Sequence, residues 1–478
     1  MELFKIWNKK PDVNRLLQLI RTADERPSTE NLDTLKSELI QLARKARQTV
    51  SRQDPKESRV VKLPPLTTSG SRLNQDDWFV VGDLHGDFNS LCRILLKIYL
   101  RPGIEPDKIR IIFLGDYIDR GARPFEVLRL LFSLKIEWPD HFWLLRGNHE
   151  LLEVGEDSIV RSTVSPADCI EFWKEHVGED VFKSLSTLFD VLPVAFLQPF
   201  NTTDQPIHQS NRNILYIHGG IPRTEYLKLP LDTLECRGGF LWSDPELHKL
   251  EVLNGPSRRF SFGSKDFTTF CGHHDISLVV RGHEPRKDGI DLHEEVTGSG
   301  HRLVTLFSCG TKENEDSYYG SDILVPRFLQ MVANRHQELP LSVEEIYRDD
   351  ICIAGSLMLL NPQLFQDLVA AITRTLAEET GITFNIKIAN QDIRNSGDST
   401  DIHDSNRFSS IVLFPDLPLN GKINTLIAVG NIRSSLTLDC ADLATGSQTV
   451  VTAIRSKYPI FGYLPEQYFQ SEKENHHA

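Results

Sequence analysis

The 478-residue sequence lacks most features of a secreted, disulfide-bonded or membrane-spanning protein. Its seven cysteines are odd in number, widely separated and without a CxxC pair, which argues against a disulfide framework and a zinc-thiolate site. No apolar segment follows a basic start at the N-terminus, so no signal peptide is visible. The longest apolar stretch of the second half, residues 351–360, is far shorter than the ~20 residues that span a bilayer. We therefore expect a cytoplasmic protein without a membrane partner.

The sequence also lacks an excess of basic charge, since its formal net charge at pH 7 is -13. Binding nucleic acid regardless of its sequence requires clustered Lys and Arg side chains against the phosphates. We therefore expect no nucleic-acid partner. The 40% hydrophobic and 25% charged residues are ordinary globular values, and the length predicts more than one domain.

Patterns along the chain predict four regions. Residues 1–52 read as a helical segment, in which Leu35, Leu39, Leu42 and Ala43 share one helical stripe. We expect these helices to cover the core, with partner contact as the alternative. The remaining regions are a polar, proline-containing linker, an α/β catalytic domain and a C-terminal α+β region of unknown role, at residues 53–76, 77–325 and 331–470.

Five short apolar runs dominate the third region, and polar residues follow each of them closely. The runs cover residues 78–81, 109–114, 142–145, 214–217 and 278–280. Helical patterns separate several runs, for example at residues 88–100 and 124–134, so the sequence predicts an α/β fold of strands layered with helices. In such folds polar ligands collect just beyond the C-terminal ends of the strands. Past residue 331 the patterns predict mainly helix over 342–380, then strands at 382–386, 410–413 and 426–429.

The polar residues that follow the runs suit a two-metal hydrolase. Hard divalent cations take carboxylate, imidazole and amide-oxygen ligands, and one carboxylate must bridge two ions that lie roughly 3.5–4 Å apart. A phosphate ester also requires an Arg fork and an acid for the leaving oxygen. The chain offers all of these as Asp83, His85, Asp116, Asp119, Arg120, Asn148, His149, His218 and His283.

The ordered motifs GDLHGD, GDYIDRG, RGNHE, HGG and RGH resemble the signature of the phosphoprotein phosphatases among the calcineurin-like metallophosphoesterases. The later segment LWSDP matches the same family, and the resemblance covers roughly residues 77–320. It implies a layered α/β/β/α metallophosphatase sandwich that hydrolyses phosphorylated Ser or Thr in a protein or peptide. The reaction implied is direct attack on phosphorus by a hydroxide that bridges two ions, with Mn²⁺ expected and Fe or Zn as alternatives.

The same resemblance implies a role for each matching residue. His149 would be the general acid, Asp119 would orient it, and Arg120 would hold the phosphate. The metal ligands would be Asp83 and His85 for the first ion, Asp116 as the bridge, and Asn148, His218 and His283 for the second.

Two segments depart from the family pattern. The family has a second phosphate-binding Arg before a Phe-Gly pair, but the spacing here is shorter, so Arg258 is preferred and Arg259 remains an alternative. Tyr318 is a candidate replacement for the family's active-site Tyr. Three other clusters are expected to be structural, namely a loop with His208, a helix end at residues 271–275, and an acidic loop with Asp398, Asp401 and Asp404.

Two other functions remain open from the sequence. A diadenosine tetraphosphate hydrolase has a similar signature but usually carries Asp after the Asn-His pair, so Glu150 favours the protein phosphatase. A phosphatase-like module could instead recognise phosphorylated partners without turnover. The C-terminal region offers a surface for a regulatory partner on position alone.

Overall fold

The computed structural model describes residues 10–24, 32–67, 76–99, 104–201, 212–246, 259–293, 300–310 and 326–331, and six strands beyond residue 340. The chain divides into two compact units. The first comprises residues 1–99 and 104–346, and the second comprises residues 100–103 and 347–478.

The helices of the first unit include those predicted within residues 1–52, 88–100 and 124–134. Those longer than one turn are α1 (Val13–Asp24), α2 (Leu32–Gln53), α3 (Phe88–Tyr99), α4 (Pro124–Glu137), α5 (Asp168–Val177), α6 (Glu179–Phe189), α7 (Leu234–Trp242) and α8 (Ser264–His273). Single 3₁₀ turns lie at Pro106–Lys108 and Thr224–Tyr226. Among the described residues, no helix combines the length and the apolar character that crossing a membrane requires.

The strands of the first unit form two large sheets and two short pairs. In chain order they are β1 (Val60–Lys62), β2 (Leu66–Thr67), β3 (Asp77–Val81), β4 (Ile109–Phe113), β5 (Phe142–Leu144), β6 (Leu152–Val154), β7 (Val160–Ser162), β8 (Ala195–Asn201), β9 (Arg212–Ile217), β10 (Ser243–Pro245), β11 (Phe260–Phe262), β12 (Ile276–Arg281), β13 (Ile290–Asp291), β14 (Arg302–Leu306), β15 (Arg327–Met331) and β16 (Leu341–Glu345). One sheet has the order β1-β8-β9-β12-β14-β13, with β2 beside β8, and the other has the order β16-β15-β3-β4-β5. The short pairs are β6-β7 and β10-β11.

The two large sheets share one hydrophobic core. Trp78 and Val80 of β3 belong to the same buried cluster as Tyr216 of β9 and Val280 of β12. On the other side of the first sheet, apolar residues of α7 and α8 form a second cluster with β9 and β12. Helix α4 packs beside β5 of the second sheet. The predicted α/β/β/α sandwich is therefore confirmed in the described part of the first unit.

All five predicted apolar runs are strands, and their arrangement explains the clustering of polar residues. Strands β3, β4 and β5 run parallel to one another, as do β9 and β12 in the other sheet. An isolated bridge between Asp83 and Phe307 continues the line of β3 toward the segment that follows β14. Because parallel strands end at the same edge, the loops after β3, β4 and β5 meet there.

The linker prediction for residues 53–76 is wrong over part of its length. Within it, β1 and β2 pair in parallel with β8. The pattern concealed them because Pro64 and Pro65 lie between the two strands. Proline is compatible with such short pieces at the border of a sheet, where few N–H groups must enter the ladder.

The helical prediction for residues 342–380 is also wrong at the described residues 342–345 and 351–354, which form strands. Strand β16 pairs antiparallel with β15, with Val343 opposite Leu329. The alternation of Leu341, Ser342 and Val343 is the period-two signal for this strand, and it was too short to outweigh the longer helical pattern. Residues 355–384 lie outside the described part of the chain.

The N-terminal helices pack against the rest of the first unit, as expected for a cover. Helix α1 lies against α4, and α2 lies against α4, α5 and α6. The predicted stripe on α2 is buried at Leu35, Leu39 and Ala43, whereas Leu42 is half-exposed.

The second unit contains a five-stranded sheet. Its strands are β17 (Ile351–Ala354), β18 (Asn385–Ile388), β19 (Ser410–Phe414), β20 (Lys422–Val429) and β21 (Ile432–Asp439), in the order β18-β19-β17-β20-β21. The strands predicted at 382–386, 410–413 and 426–429 overlap β18, β19 and β20.

Candidate metal centre

The loop after β3 presents Asp83 and His85 at the sheet edge. The backbone N–H groups of Leu84 and His85 donate to the carbonyl of Asp116, at 3.0 and 2.8 Å. The His85 Nδ1 lies 3.1 Å from the carbonyl oxygen of Ile118, so this nitrogen carries the proton and donates. The lone pair of the ring is therefore on Nε2, which lies 3.7 Å from Asp83 Oδ2 and 3.6 Å from Asp116 Oδ2.

Asp116, in the loop after β4, is the central carboxylate of the site. Its Oδ2 lies 3.6 Å from His85 Nε2 and 3.2 Å from His218 Nε2, while its Oδ1 accepts from the backbone N–H of His149 at 3.0 Å. Burial opposes its charge, but nearby His218 and His149 outweigh burial and hold the pKa of Asp116 well below its usual value. The ionised Asp116 carboxylate therefore lies between the imidazole rings of His85 and His218.

A second group of donors surrounds His218, which follows β9. Its Nδ1 donates to the carbonyl of Leu114 at 3.0 Å, which leaves Nε2 to face the site. Burial acts to lower the pKa of His218, but Asp116 and Asp83 outweigh burial and raise it to about 9, so a cation that binds Nε2 must displace a proton. That Nε2 lies 2.8 Å from Asn148 Oδ1 and 3.1 Å from His283 Nδ1. The Asn148 oxygen also lies 2.9 Å from His283 Nδ1, so residues from three loops converge on one point.

His283 presents Nδ1 to the point where Asn148 and His218 meet. Its Nε2 is buried, has no hydrogen-bond partner among the residues that the structure describes, and lies 3.8 Å from a carboxylate oxygen of Asp244, so it would carry the ring proton when Nδ1 binds a cation. Burial, followed by the charges of His218 and Arg281, lowers the pKa of His283 well below its usual value. A neutral imidazole results, which is the form that binds a metal.

Asp83 adds a carboxylate that a cation would stabilise. Both of its oxygens accept from the backbone N–H of His283, at 3.0 and 3.1 Å. Burial raises the pKa of Asp83 to about 7, with His218 opposing that effect and the charge of Asp116 adding to it. The candidate ligand atoms form two sets, and within each set all atoms lie within 4.8 Å of one another. The first set is His85, Asp116 and His149, and the second is Asp116, His218 and His283. This donor chemistry fits a pair of divalent ions that share Asp116.

His149 lies at the edge of this centre with Asp119 beside it. Asp119 Oδ2 accepts from His149 Nδ1 at 2.8 Å, and Asp119 Oδ1 accepts from the backbone N–H of Cys169 at 2.8 Å. Burial acts to lower the pKa of His149, but Asp116 and Asp119 together outweigh burial and raise it. The first turn of α5 therefore fixes Asp119, and Asp119 orients the imidazole and favours its protonated form.

Arg120 follows Asp119 in a loop with left-handed backbone angles at both residues, with φ of 65° at Asp119 and 67° at Arg120. The backbone N–H of Arg120 donates to Asp168 Oδ2 at 3.1 Å, which holds this unusual conformation in place. After burial and the charge of His149, the charge of Arg120 helps to lower the pKa of His85. The Arg120 guanidinium therefore acts electrostatically on the candidate metal-binding loop, which follows β3 and carries Asp83 and His85.

The second predicted phosphate ligand, Arg258, lies outside the described residues, as do Tyr318 and His208. The alternative, Arg259, is described, and its Nε lies 2.5 Å from Asp244 Oδ2. The acidic loop predicted at Asp398, Asp401 and Asp404 is also outside the described residues. Residues 271–275 close helix α8, as predicted for a helix end.

Two buried residues contribute to the site in ways that the sequence did not reveal. Glu150 served only to distinguish two enzyme classes, yet its carboxylate accepts from the backbone N–H groups of Asp116, Tyr117 and Gly147, each at 2.8 Å. Arg281 was not singled out. Its fully buried guanidinium donates to the carbonyl of Gly219, to Asp244 of β10 and to Glu284 three residues further along the chain. The sequence did contain a signal for both residues. Glu150 in RGNHE and Arg281 in RGH are charged residues within two positions of a predicted site residue.

Parts of this chain are similar to known proteins. The calcineurin-like phosphoesterase family matches residues 79–287. The curated Serine/threonine-protein phosphatase BSL2 of Arabidopsis thaliana is 33% identical over 282 residues, covering 55% of this chain and 25% of that protein. Serine/threonine-protein phosphatase C23G10.1 of Caenorhabditis elegans is 29% identical over 241 residues, covering 48% of this chain and 46% of that protein.

A solved Saccharomyces cerevisiae protein serine/threonine phosphatase, described as similar to human phosphatase PP5, aligns with a TM-score of 0.47 and 21% identity. The alignment covers 65% of this chain and 89% of that one. This chain thus spans less than half the length of both curated relatives. Residues 79–287, which match the calcineurin-like phosphoesterase family, contain both donor sets around Asp116.

Proposed function

We propose that this chain is a metal-dependent phosphomonoesterase that acts as a Ser/Thr protein phosphatase. The observation that carries the proposal is Asp116, a buried, ionised carboxylate that faces His85 on one side and His218 on the other, at 3.6 and 3.2 Å. The names of the two curated relatives support the protein phosphatase activity.

Two divalent ions would occupy the centre, and Mn²⁺ is the first candidate, with Fe or Zn as alternatives. Asp83 and His85 would hold one ion, and Asn148, His218 and His283 would hold the other, with Asp116 between them. Such ions supply an activated water nucleophile and neutralise charge on phosphoryl oxygens. Mixed oxygen and imidazole donors suit these metals.

The residues around the centre have separate tasks in this proposal. His149 donates a proton to the departing Ser or Thr oxygen, and Asp119 keeps the ring oriented and protonated. Arg120 holds phosphate oxygens with its planar fork. Either Arg258 or Arg259 provides a second contact. Arg259 would have to exchange its bond with Asp244 for the phosphate.

Other observations bear on the substrate class, the cellular compartment and the partners. The Glu150 position and the relatives' names favour a phosphoprotein over a dinucleotide, which would need a pocket for a base. The five described cysteines are buried and form no disulfide, which suits the reducing cytoplasm. A net charge of -13 disfavours nucleic-acid binding. We assign residues 331–470 a regulatory or partner-binding role.

A turnover panel with purified full-length protein tests the proposal. The protein is stripped with a chelator, reloaded with Mn²⁺, and given phosphoserine peptide, phosphotyrosine peptide, p-nitrophenyl phosphate and diadenosine tetraphosphate. We expect hydrolysis of the phosphoserine peptide that is lost on chelation and restored by Mn²⁺. Activity on the dinucleotide alone would support the hydrolase alternative. Specific phosphopeptide binding without turnover would support the binding module.

The acid role of His149 has a sharper test, because His149 also lies close enough to donate to a metal. We expect His149→Gln to slow phosphoserine hydrolysis by about 10²–10⁴-fold, the usual contribution of a general acid. The same variant should lose much less with p-nitrophenyl phosphate, whose leaving group departs readily without a proton. Equal losses on both substrates, accompanied by weaker Mn²⁺ binding, would show that His149 is a ligand instead.

A further inference from the structure

Three buried basic side chains, one at the residue before helix α4 and two within the helix, receive partners from the N-terminal helices. Arg123, Arg129 and Lys135 recur at six-residue intervals and are each no more than 4% exposed. Each hydrogen-bonds a side chain that precedes residue 79, where the family match begins. Arg123 bonds Asp24, Arg129 bonds Glu38, and Lys135 bonds Gln53.

The first of these contacts is at the C-terminus of α1. Arg123 Nη2 donates to Asp24 Oδ1 at 2.6 Å and to the Asp24 carbonyl at 3.2 Å. Arg129 Nη1 likewise donates to the carbonyl of Ala23 at 3.3 Å. Guanidinium groups thus satisfy the last carbonyls of α1 and oppose the negative end of its dipole. Asp24 adds a full negative charge at the same point.

Arg123 also reaches the metal-binding loop. Its backbone N–H donates to the carbonyl of Gly86 at 3.1 Å, and Gly86 directly follows His85. Its guanidinium lies 4.5 Å from the centroid of the Phe88 ring and 3.5 Å from Asn89 Oδ1. These contacts place one side chain between the end of α1 and the start of α3, immediately after the two candidate ligands of that loop.

We propose that Asp24 is a positioning residue for the metal centre. Through Arg123 it fixes the loop that carries Asp83 and His85. The Arg123 guanidinium has a second anionic partner, Glu126, whose Oε1 lies 3.1 Å from Arg123 Nε. Without the Asp24 carboxylate, Glu126 becomes its sole described carboxylate partner, and the contacts with Phe88 and Asn89 lose their support. The catalytic meaning of this link rests on the proposed function, whereas the positioning itself does not.

The test compares Asp24→Asn with Arg15→Gln in the full-length protein. Arg15 is a matched control, because it also joins α1 to α4, through two bonds to Glu137 at 3.2 and 3.1 Å, without touching the metal-binding loop. Three quantities are measured, namely hydrogen exchange of the peptide that contains residues 83–89, Mn²⁺ affinity from the electron spin resonance of free Mn²⁺, and the melting temperature.

We expect Asp24→Asn to weaken Mn²⁺ binding by about tenfold or more, as for other residues that orient metal ligands, and to speed exchange at residues 83–89. Arg15→Gln should leave both unchanged. Arg123→Lys, which keeps the charge but loses the fork, should reproduce the effect of Asp24→Asn and serves if that variant does not fold. A lower melting temperature without a change in affinity or local exchange would overturn the proposal, as would equal effects in the control.

Failure of the proposed function would look different. Wild-type protein that hydrolyses none of the four substrates would remove the catalytic assignment. The exchange difference between Asp24→Asn and Arg15→Gln would still be measurable, and it alone decides whether Asp24 positions the loop.

Discussion

Glu150 joins the loop after β4 to the loop after β5 by a single carboxylate. Its three acceptor contacts are all with backbone N–H groups, so the residue must present oxygen on both sides. Glu150→Gln replaces one oxygen with an amide nitrogen that donates rather than accepts. We expect this change to destabilise the fold by about 1–3 kcal/mol, the cost of an unsatisfied buried polar group, and to weaken Mn²⁺ binding.

Denaturant unfolding and Mn²⁺ titration measure these two effects. Glu156→Gln is the control, since Glu156 is exposed in the turn between β6 and β7. Should Glu150→Gln unfold and bind Mn²⁺ like the wild type, the carboxylate is not what joins the loops.

Arg281 is a buried charge that connects the loops of the first sheet. It donates to Asp244 at 2.8 Å and to Glu284 at 2.7 Å, and its own side chain is fully buried. Arg281→Met would leave Asp244 and Glu284 without this partner. We expect a loss of about 3–5 kcal/mol of unfolding free energy, as for other broken buried pairs.

Arg286 shares Glu284 with Arg281 but is partly exposed, so it provides the comparison. Arg286→Met should cost at most about 1 kcal/mol, as usual for pairs near the surface. Both values come from urea unfolding at pH 7. Similar losses of unfolding free energy in the two variants would show that the buried Arg281 contributes no more to stability than the partly exposed Arg286.

At the scale of elements, the strand-end loops approach one another so closely that glycine is required. A Cβ added to Gly147 would lie 2.1 Å from Asp116 Oδ1 and 2.3 Å from the Asp116 backbone nitrogen. Gly147→Ala must therefore displace the central carboxylate. We expect it to lose about 1–3 kcal/mol of stability, as in overpacked cores, together with Mn²⁺ binding.

Gly238 offers a matched glycine that has no such neighbour. It lies within α7, and a Cβ there would have nothing within 4 Å. Gly238→Ala should be stabilising by about 0.5–1 kcal/mol, because alanine favours a helix. Thermal unfolding of both variants decides the matter, and a harmless Gly147→Ala would contradict the close approach of the two loops.

Element prediction succeeded where a local pattern was strong. Apolar runs followed by Asp, Asn or His identified β3, β4, β5, β9 and β12. It failed for β1, β2, β16 and β17, which are short strands. The register of β1 and β2 with β8 joins segments far apart in the chain, so no local window contains it. Strands β16 and β17 lie within a longer helical pattern that outweighed their short strand signals.

At the scale of the whole molecule, the first unit should fold without the second. A chain that ends at residue 346 keeps all of the described residues that surround the metal centre. We expect it to melt cooperatively and to retain Mn²⁺ binding.

By contrast, a chain that begins at residue 59 leaves Arg123, Arg129 and Lys135 without their N-terminal partners. We expect it to be insoluble or to melt at a much lower temperature. Circular dichroism melts of both truncations provide the measurement. A stable chain that begins at residue 59 would show that the N-terminal helices are dispensable to the fold.

The sequence by itself determined which side chains are available as candidate metal ligands. Ligand types such as Asp83 and His218, placed just after apolar strands, were visible because the motifs are local and ordered. Tertiary structure alone decided how the parts support one another. Asp24 meets Arg123, and Glu150 meets the N–H of Asp116, across separations in the chain that no motif spans. A buried charge is stabilised by whatever the fold brings next to it, and only the packed structure specifies that neighbour.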